Sequence, residues 1–318
     1  MARKLSSVFA NSLFGAFLAL VLACVFFSFQ SDRFLSGQNF SLILQQVMVI
    51  GVIAIGQTLI ILTAGIDLSC GMIMAFGTIV MTKLCMSMGL PPIAAIFIGI
   101  VVCTLIGFAN GLLVTKVRLP AFIVTLGMLN IVFAATQLYS EGQSIANLPD
   151  GMLFLGETFR IGSTSITYGT ILMLVLYLGV WIFLRDTQLG RHIYAVGNNP
   201  EAARLTGIPL HRVLIYVYAL AGCFYGLAAM LSVARLGVGD PAIGQTDNLD
   251  SITAVVIGGT SLFGGRGFIL GTLIGVLIVG VFRNGLTLMG VPSVYQILVT
   301  GVLVILAVTV DQLTKKQG

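Results

Sequence analysis

The sequence predicts an all-α integral membrane protein with about ten transmembrane helices. Three observations predict it. The 318 residues are 58% hydrophobic and only 8% charged, where soluble domains carry about 25% charged residues. Mean hydropathy is +1.07. Several apolar runs also extend for about twenty residues without a period of two, which fits helices crossing a bilayer and not barrel strands.

In chain order, the apolar runs place spans near 12–29, 40–62, 70–88, 93–115, 119–139, 168–184, 213–233, 251–264, 268–288 and 294–310. The first run resembles a lipoprotein signal, with Arg3 and Lys4 before an apolar stretch reaching Cys24. Because Val25, Phe26 and Phe27 carry the run past the cysteine, a retained helix is expected. With the N-terminus inside, the inner side holds eleven of the sixteen Lys/Arg: Arg3, Lys4, Lys116, Arg118, Arg185, Arg191, Arg204, Arg212, Arg266, Lys315 and Lys316. Arg33, Lys83, Arg160 and Arg235 fall outside, and Arg283 falls within a span. This bias puts both termini in the cytoplasm. It also accounts for the pI near 9.1 without nucleic acid as a partner.

Residues 1–318 are expected to form one transmembrane domain with a cytoplasmic loop at 185–212. Residues 141–167 and 235–250 become outer loops, the second rich in acids (Asp240, Asp247, Asp250). Three G-x-x-x-G patterns, Gly107–Gly111, Gly222–Gly226 and Gly271–Gly275, allow close helix approach. Five spans per half would make any internal duplication an inverted five-plus-five repeat.

The loop at 185–212 carries a short helix with both ends written in the residues. Asn199 can cap it, and Pro200 suits the first helical position. Glu201 complements the helix dipole. Ala202, Ala203, Arg204 and Leu205 favour helix, Gly207 can end it, and Pro209 bars continuation. At about two turns it is marginal alone. Either its own bundle or a docked partner must hold it.

Two other stretches interrupt the apolar pattern. Thr63-Ala64-Gly65-Ile66-Asp67-Leu68-Ser69 breaks a long hydrophobic region, and some broken or re-entrant helix is expected there. Irregular backbone at membrane depth must be covered by protein or line a water-filled cavity, and an intramembrane carboxylate is a functional candidate. Asp67 and Ser69 are equally explained as caps of the next helix. The Gly-rich run at 258–267 superficially resembles a phosphate loop, but G-x-x-x-x-G-K-[ST] is absent from the chain. No nucleotide site is expected here, and no catalytic residues. Neutral amides within spans, including Gln45, Gln46, Gln57, Asn110 and Asn130, suit an uncharged hydroxyl-rich solute; bonds between neighbouring helices explain them as well. Five scattered cysteines and two histidines predict neither disulfides nor a metal site.

Taken together, T-A-G-I-D-L-S at 63–69, G-R-H-I-Y-A-V-G-N-N-P-E-A-A-R-L-T-G-I at 190–208 and V-V-I-G-G-T-S-L-F-G-G-R-G at 255–267 resemble the bacterial ABC importer permeases for ribose and related monosaccharides. Cys70 and Met72 stand where Val and Ser are frequent in that family. The resemblance implies an inner-membrane dimer, with a second permease copy embedded beside the first in membrane lipid. It implies a cytoplasmic ATP-binding subunit that holds ATP and magnesium, and a periplasmic sugar-binding protein. It makes the 190–208 segment the coupling helix, with Gly190, Arg191, Asn199, Pro200, Glu201, Ala202, Ala203, Arg204 and Gly207 as its coupling residues. For the translocation pathway, Asp67, Ser69, Gln45, Asn110 and Asn130 are the candidates. A secondary sugar carrier, a permease for another solute such as branched-chain amino acids, and a membrane scaffold are the competing readings.

Overall fold

A computed structural model describes residues 2–315. Lys316 of the inner-side cations lies outside the described residues, as do the side chains of Arg3, Lys4 and Lys315. The first half of the chain forms α1 (Ala2–Gln30), α2 (Gly37–Leu62), α3 (Cys70–Met86), α4 (Pro92–Lys116) and α5 (Ala121–Ser140). A short α6 (Asp150–Leu153) and a hairpin of β1 (Thr158–Ile161) and β2 (Thr164–Thr167) follow. The second half forms α7 (Tyr168–Asp186), α8 (Gln188–Asn198), α9 (Pro200–Leu205), α10 (Leu210–Leu236), α11 (Asp247–Ile257), α12 (Ile269–Leu288) and α13 (Ser293–Lys315).

Among the described residues, seven helices (α1, α2, α4, α5, α7, α10 and α12) are long and apolar enough to cross a membrane. Helix α3 and the apolar part of α13 are shorter. The span expected at 251–264 is replaced by α11, which has 11 residues. At 1.5 Å per residue it is roughly 16 Å long, about half of a 30 Å hydrocarbon core. Gly258 and Gly259 end it, because the chain must turn there at φ 89° for Gly259.

Burial divides the helices by what surrounds them. Helix α2 is apolar on every face and almost wholly buried, the pattern of a helix enclosed by others. It packs against α10, α12, α11 and α7. In contrast α1, α4, α5 and α7 expose large apolar side chains such as Phe14, Phe29, Ile93, Phe97, Leu138 and Leu178. Such a surface suits hydrocarbon and not water.

All three G-x-x-x-G patterns find partners. A Cβ at Gly107 would collide with the Tyr218 carbonyl and lie 3.0 Å from Gly222 Cα, and one at Gly226 would lie 2.8 Å from Ile100 Cα. The first two patterns therefore face each other and let α4 and α10 approach closely. The third meets α11, where Gly271 and Gly275 sit against the carbonyls of Gly258 and Ala254.

The loop at 141–167 contains the departure from the all-helical expectation. Its two strands pair antiparallel in the register Thr158↔Thr167 to Ile161↔Thr164, leaving Gly162 and Ser163 as the turn, with Gly162 at φ 62°. The residues T-F-R-I-G-S-T-S-I-T carry β-formers around a Gly-containing pair, a hairpin signal that the helical pattern overshadowed.

Candidate functional site

The loop at 185–212 contains two helices where one was expected. The Thr187 side chain accepts from Gly190 N–H at 3.0 Å and starts α8, whose Ile193 and Val196 are buried. Asn199 Oδ1 accepts from Ala202 N–H at 3.0 Å, so the expected cap starts α9, and Gly207 closes it at φ 84°. Gly190 packs tightly against the Phe183 and Leu184 carbonyls, and Arg191 donates to the Asp186 carbonyl at 3.4 Å. On α9, Pro200, Glu201, Ala202 and Arg204 are exposed while Ala203 is buried. Glu201 and Arg204 form an exposed pair at 3.1 Å, worth under about 1 kcal/mol. Leu205 beside them is 79% exposed.

What anchors this unit is the other two interruptions of the apolar pattern. Gly265 N–H donates to the Leu62 carbonyl at 2.9 Å. Tyr194 donates to the Gly267 carbonyl at 3.0 Å; burial pushes its phenol up to about 12, so it remains a neutral donor. A Cβ at Gly197 would collide with the Leu62 carbonyl, and one at Gly265 would lie 2.6 Å from Asn198 Cα. Stretches 63–65, 197–198 and 264–267 are thus a single knot of backbone. Glycine is required there because carbonyls and amides approach closer than any side chain allows.

Beyond the knot, Asp67 organises the break between α2 and α3. Its Oδ1 accepts from Ser69 N–H at 2.8 Å and from Ser69 Oγ at 2.6 Å. Its Oδ2 accepts from the Tyr225 hydroxyl at 3.2 Å. Gln57 donates to the Asp67 carbonyl at 3.0 Å, and Asn110 donates to Ser69 Oγ at 3.1 Å. Asp67, Ser69, Gln57 and Asn110 are fully buried. Three donors hold the carboxyl group, and this cluster ties α2, α3, α4 and α10 together. Ser69 takes the N-cap position of α3, while Asp67 acts one step earlier by bonding the Ser69 amide.

The remaining pathway candidates lie apart from that cluster. Asn130 lines a cavity of about 280 Å³ with Leu68, Met72, Phe133, Gln245 and Asn248. Beside it the N-terminal ends of α3 and α11 converge: Asn248 donates to the Leu68 carbonyl at 3.3 Å, and Gly71 sits against the Gly244 carbonyl. Gln45 is half-buried, and its carbonyl accepts from Arg235 at 3.3 Å.

A larger cavity, about 460 Å³, opens at the end of the bundle opposite α9, and Gln46, Arg235, Asp247 and Arg283 are among the residues lining it. Arg283 pairs with the buried Asp250 at 3.2 Å. Sequence reasoning places Asp247 and Asp250 in an outer loop and Arg283 within a span. A cation in an apolar segment signals that an acidic partner must meet it, without naming which one.

Residues 39–308 match the family described as branched-chain amino acid transport system permease component, and the chain belongs to that family of membrane permeases. It is a multi-pass protein of the inner membrane. Among individual relatives, it is 45% identical to a fructose import permease protein of Rhizobium meliloti, over 94% of this chain and 85% of the relative. It is 40% identical to a ribose import permease protein of Bacillus subtilis (94% and 92% covered) and 34% identical to a galactose/methyl galactoside import permease protein of Escherichia coli K12 (94% of each). No solved structure matches it.

Proposed function

We propose that this chain is the membrane-spanning subunit of an ATP-driven importer for a monosaccharide, a ribose-like pentose or a hexose. The observation that carries the reading is the exposed α9, capped at both ends and anchored through α8 to both interruptions of the membrane bundle. A docking helix must be accessible on one face and rigidly joined to moving parts on the other. The three import permeases named above carry sugars, which favours sugar over the branched-chain amino acids of the family description.

On this reading a cytoplasmic ATP-binding subunit docks on α9, around Glu201, Arg204 and Leu205, and holds ATP and magnesium itself. This chain then performs transport without catalysing hydrolysis. A periplasmic sugar-binding protein docks on the opposite side, and a second copy of the chain completes the pathway in the bilayer. ATP-driven movement of the subunit shifts α8 and α9. The backbone knot passes that shift to α2 and, through the Gly-rich turn, to α11.

The topology follows as ten membrane elements with both termini inside, α3 and α11 being the short ones. Packing favours an inverted repeat that exchanges α2, α3, α4 and α5 with α10, α11, α12 and α13. Pairs α3·α4, α3·α5, α4·α5 and α4·α10 correspond to α11·α12, α11·α13, α12·α13 and α12·α2, as expected of such repeats.

The test is to extract the chain from its native membrane in mild detergent and identify what co-purifies. An ATP-binding subunit that is lost from a Glu201→Lys, Arg204→Glu double variant supports the reading. A chain that purifies alone and moves sugar in vesicles lacking ATP makes it a secondary carrier instead.

A further inference from the structure

The geometry points to the 460 Å³ cavity as a binding subsite for the transported solute, an uncharged polyhydroxylated ring held by Asp247, Arg235 and Arg283. This rests on the importer reading and goes beyond it by assigning the groups that receive the solute. Those groups are charged, whereas the amide and hydroxyl candidates at Ser69 and Asn110 are closed off within a hydrogen-bonded cluster.

Four features carry the assignment. The cavity falls within the 300–1,000 Å³ typical of small-molecule sites. Its wall combines two guanidinium groups, one carboxylate and the amides of Gln46, Gln245 and Gln296. Charged side chains at membrane depth are costly and mark solute pathways. With Asp250 paired to Arg283 at 3.2 Å, two cations face two carboxylates, and the formal charge of the group is zero. Such a wall neither attracts nor repels net charge. It offers fork-shaped donors and a carboxylate acceptor to adjacent hydroxyls, which both donate and accept.

The position also fits the machinery. Asp247 and Asp250 occupy the first turn of α11, and the far end of α11 runs into the Gly-rich turn that bonds Leu62 and Tyr194. A solute held by Asp247 therefore touches the same short helix that the cytoplasmic unit reaches from below.

The experiment uses the complete importer reconstituted in vesicles, with ribose, fructose, galactose and leucine as probes. Asp247→Asn is expected to lower sugar uptake about tenfold, the effect of one charge-assisted hydrogen bond, and to change the order of preference among the three sugars. In a second variant, Gln245→Cys, saturating transported sugar is expected to slow thiol modification from the outer side. Uptake that proceeds with wild-type rate and preference in Asp247→Asn, or sugar that leaves the thiol's reactivity unchanged, overturns the cavity assignment alone. Wild-type importer that moves leucine, or none of the sugars, overturns the importer reading on which it rests.

Discussion

The two ends of this molecule use charge in opposite ways. At the end that carries α9, Glu201 and Arg204 pair in the open, with side chains 75% and 64% exposed. At the other end Asp250 is 2% exposed and faces Arg283, which keeps 35% of its side chain accessible. Water screens the first pair, so it contributes little to folding and its residues are free to specify a partner. In the second the carboxylate has given up its hydration and depends on Arg283. An exposed helix can thus tolerate substitution while losing its function. A charge cluster beside a cavity loses structure and function together.

The sharpest way to break that contrast is Asp250→Ala. It leaves Arg283 without its ion-pair partner and should cost about 2–3 kcal/mol, somewhat less than a fully buried pair because Arg283 is partly solvated. Thermal unfolding in detergent should show a clear drop, and an unchanged midpoint would place both pairs in the same class. Tyr225→Phe removes the hydroxyl donor to Asp67 Oδ2 and should cost about 1–3 kcal/mol, the cost of leaving a buried polar group short of a partner. The same unfolding measurement reads it.

Gly197→Ala sets two effects against each other. Alanine gains about 1 kcal/mol of helix propensity, but its Cβ meets the Leu62 carbonyl, and overpacking costs about 1–3 kcal/mol. Because the obstacle is backbone, the clash should win by about 1 kcal/mol and solute-stimulated ATP hydrolysis should fall. Full stimulation would show that the knot is no mechanical link. The smallest effect on stability is expected from Glu201→Lys, under about 1 kcal/mol from the lost pair and the reversed dipole interaction. Uptake should nevertheless collapse, and normal uptake in that variant would free α9 from its docking role.

Much was legible because membrane helices must satisfy their backbone internally. That constraint stretches the apolar code over long runs, and the boundaries of α2, α4 and α12 follow it within three residues of expectation. The caps of α9 were equally readable, since Asn199, Pro200 and Gly207 act on their own neighbours. Helix α8 was harder to see. Its half-polar face resembles a loop until Ile193 and Val196 find the bundle. The short α11 was hidden within an apolar run that only the turn at 258–259 divides.

The sequence by itself determined that this chain is a helical membrane protein, where its apolar pattern is interrupted, and which residues cap the exposed α9. These depend on local composition and on bonds spanning a few residues. Only the tertiary structure decided that three distant interruptions form one knot, that Asp67 is enclosed by Ser69 and Tyr225, and that Asp247, Asp250 and Arg283 gather at a cavity. Those outcomes depend on which helices become neighbours. In an apolar environment that choice turns on close-packed shape, glycine against carbonyl and Gly107 against Gly222, which spacing along the chain does not encode.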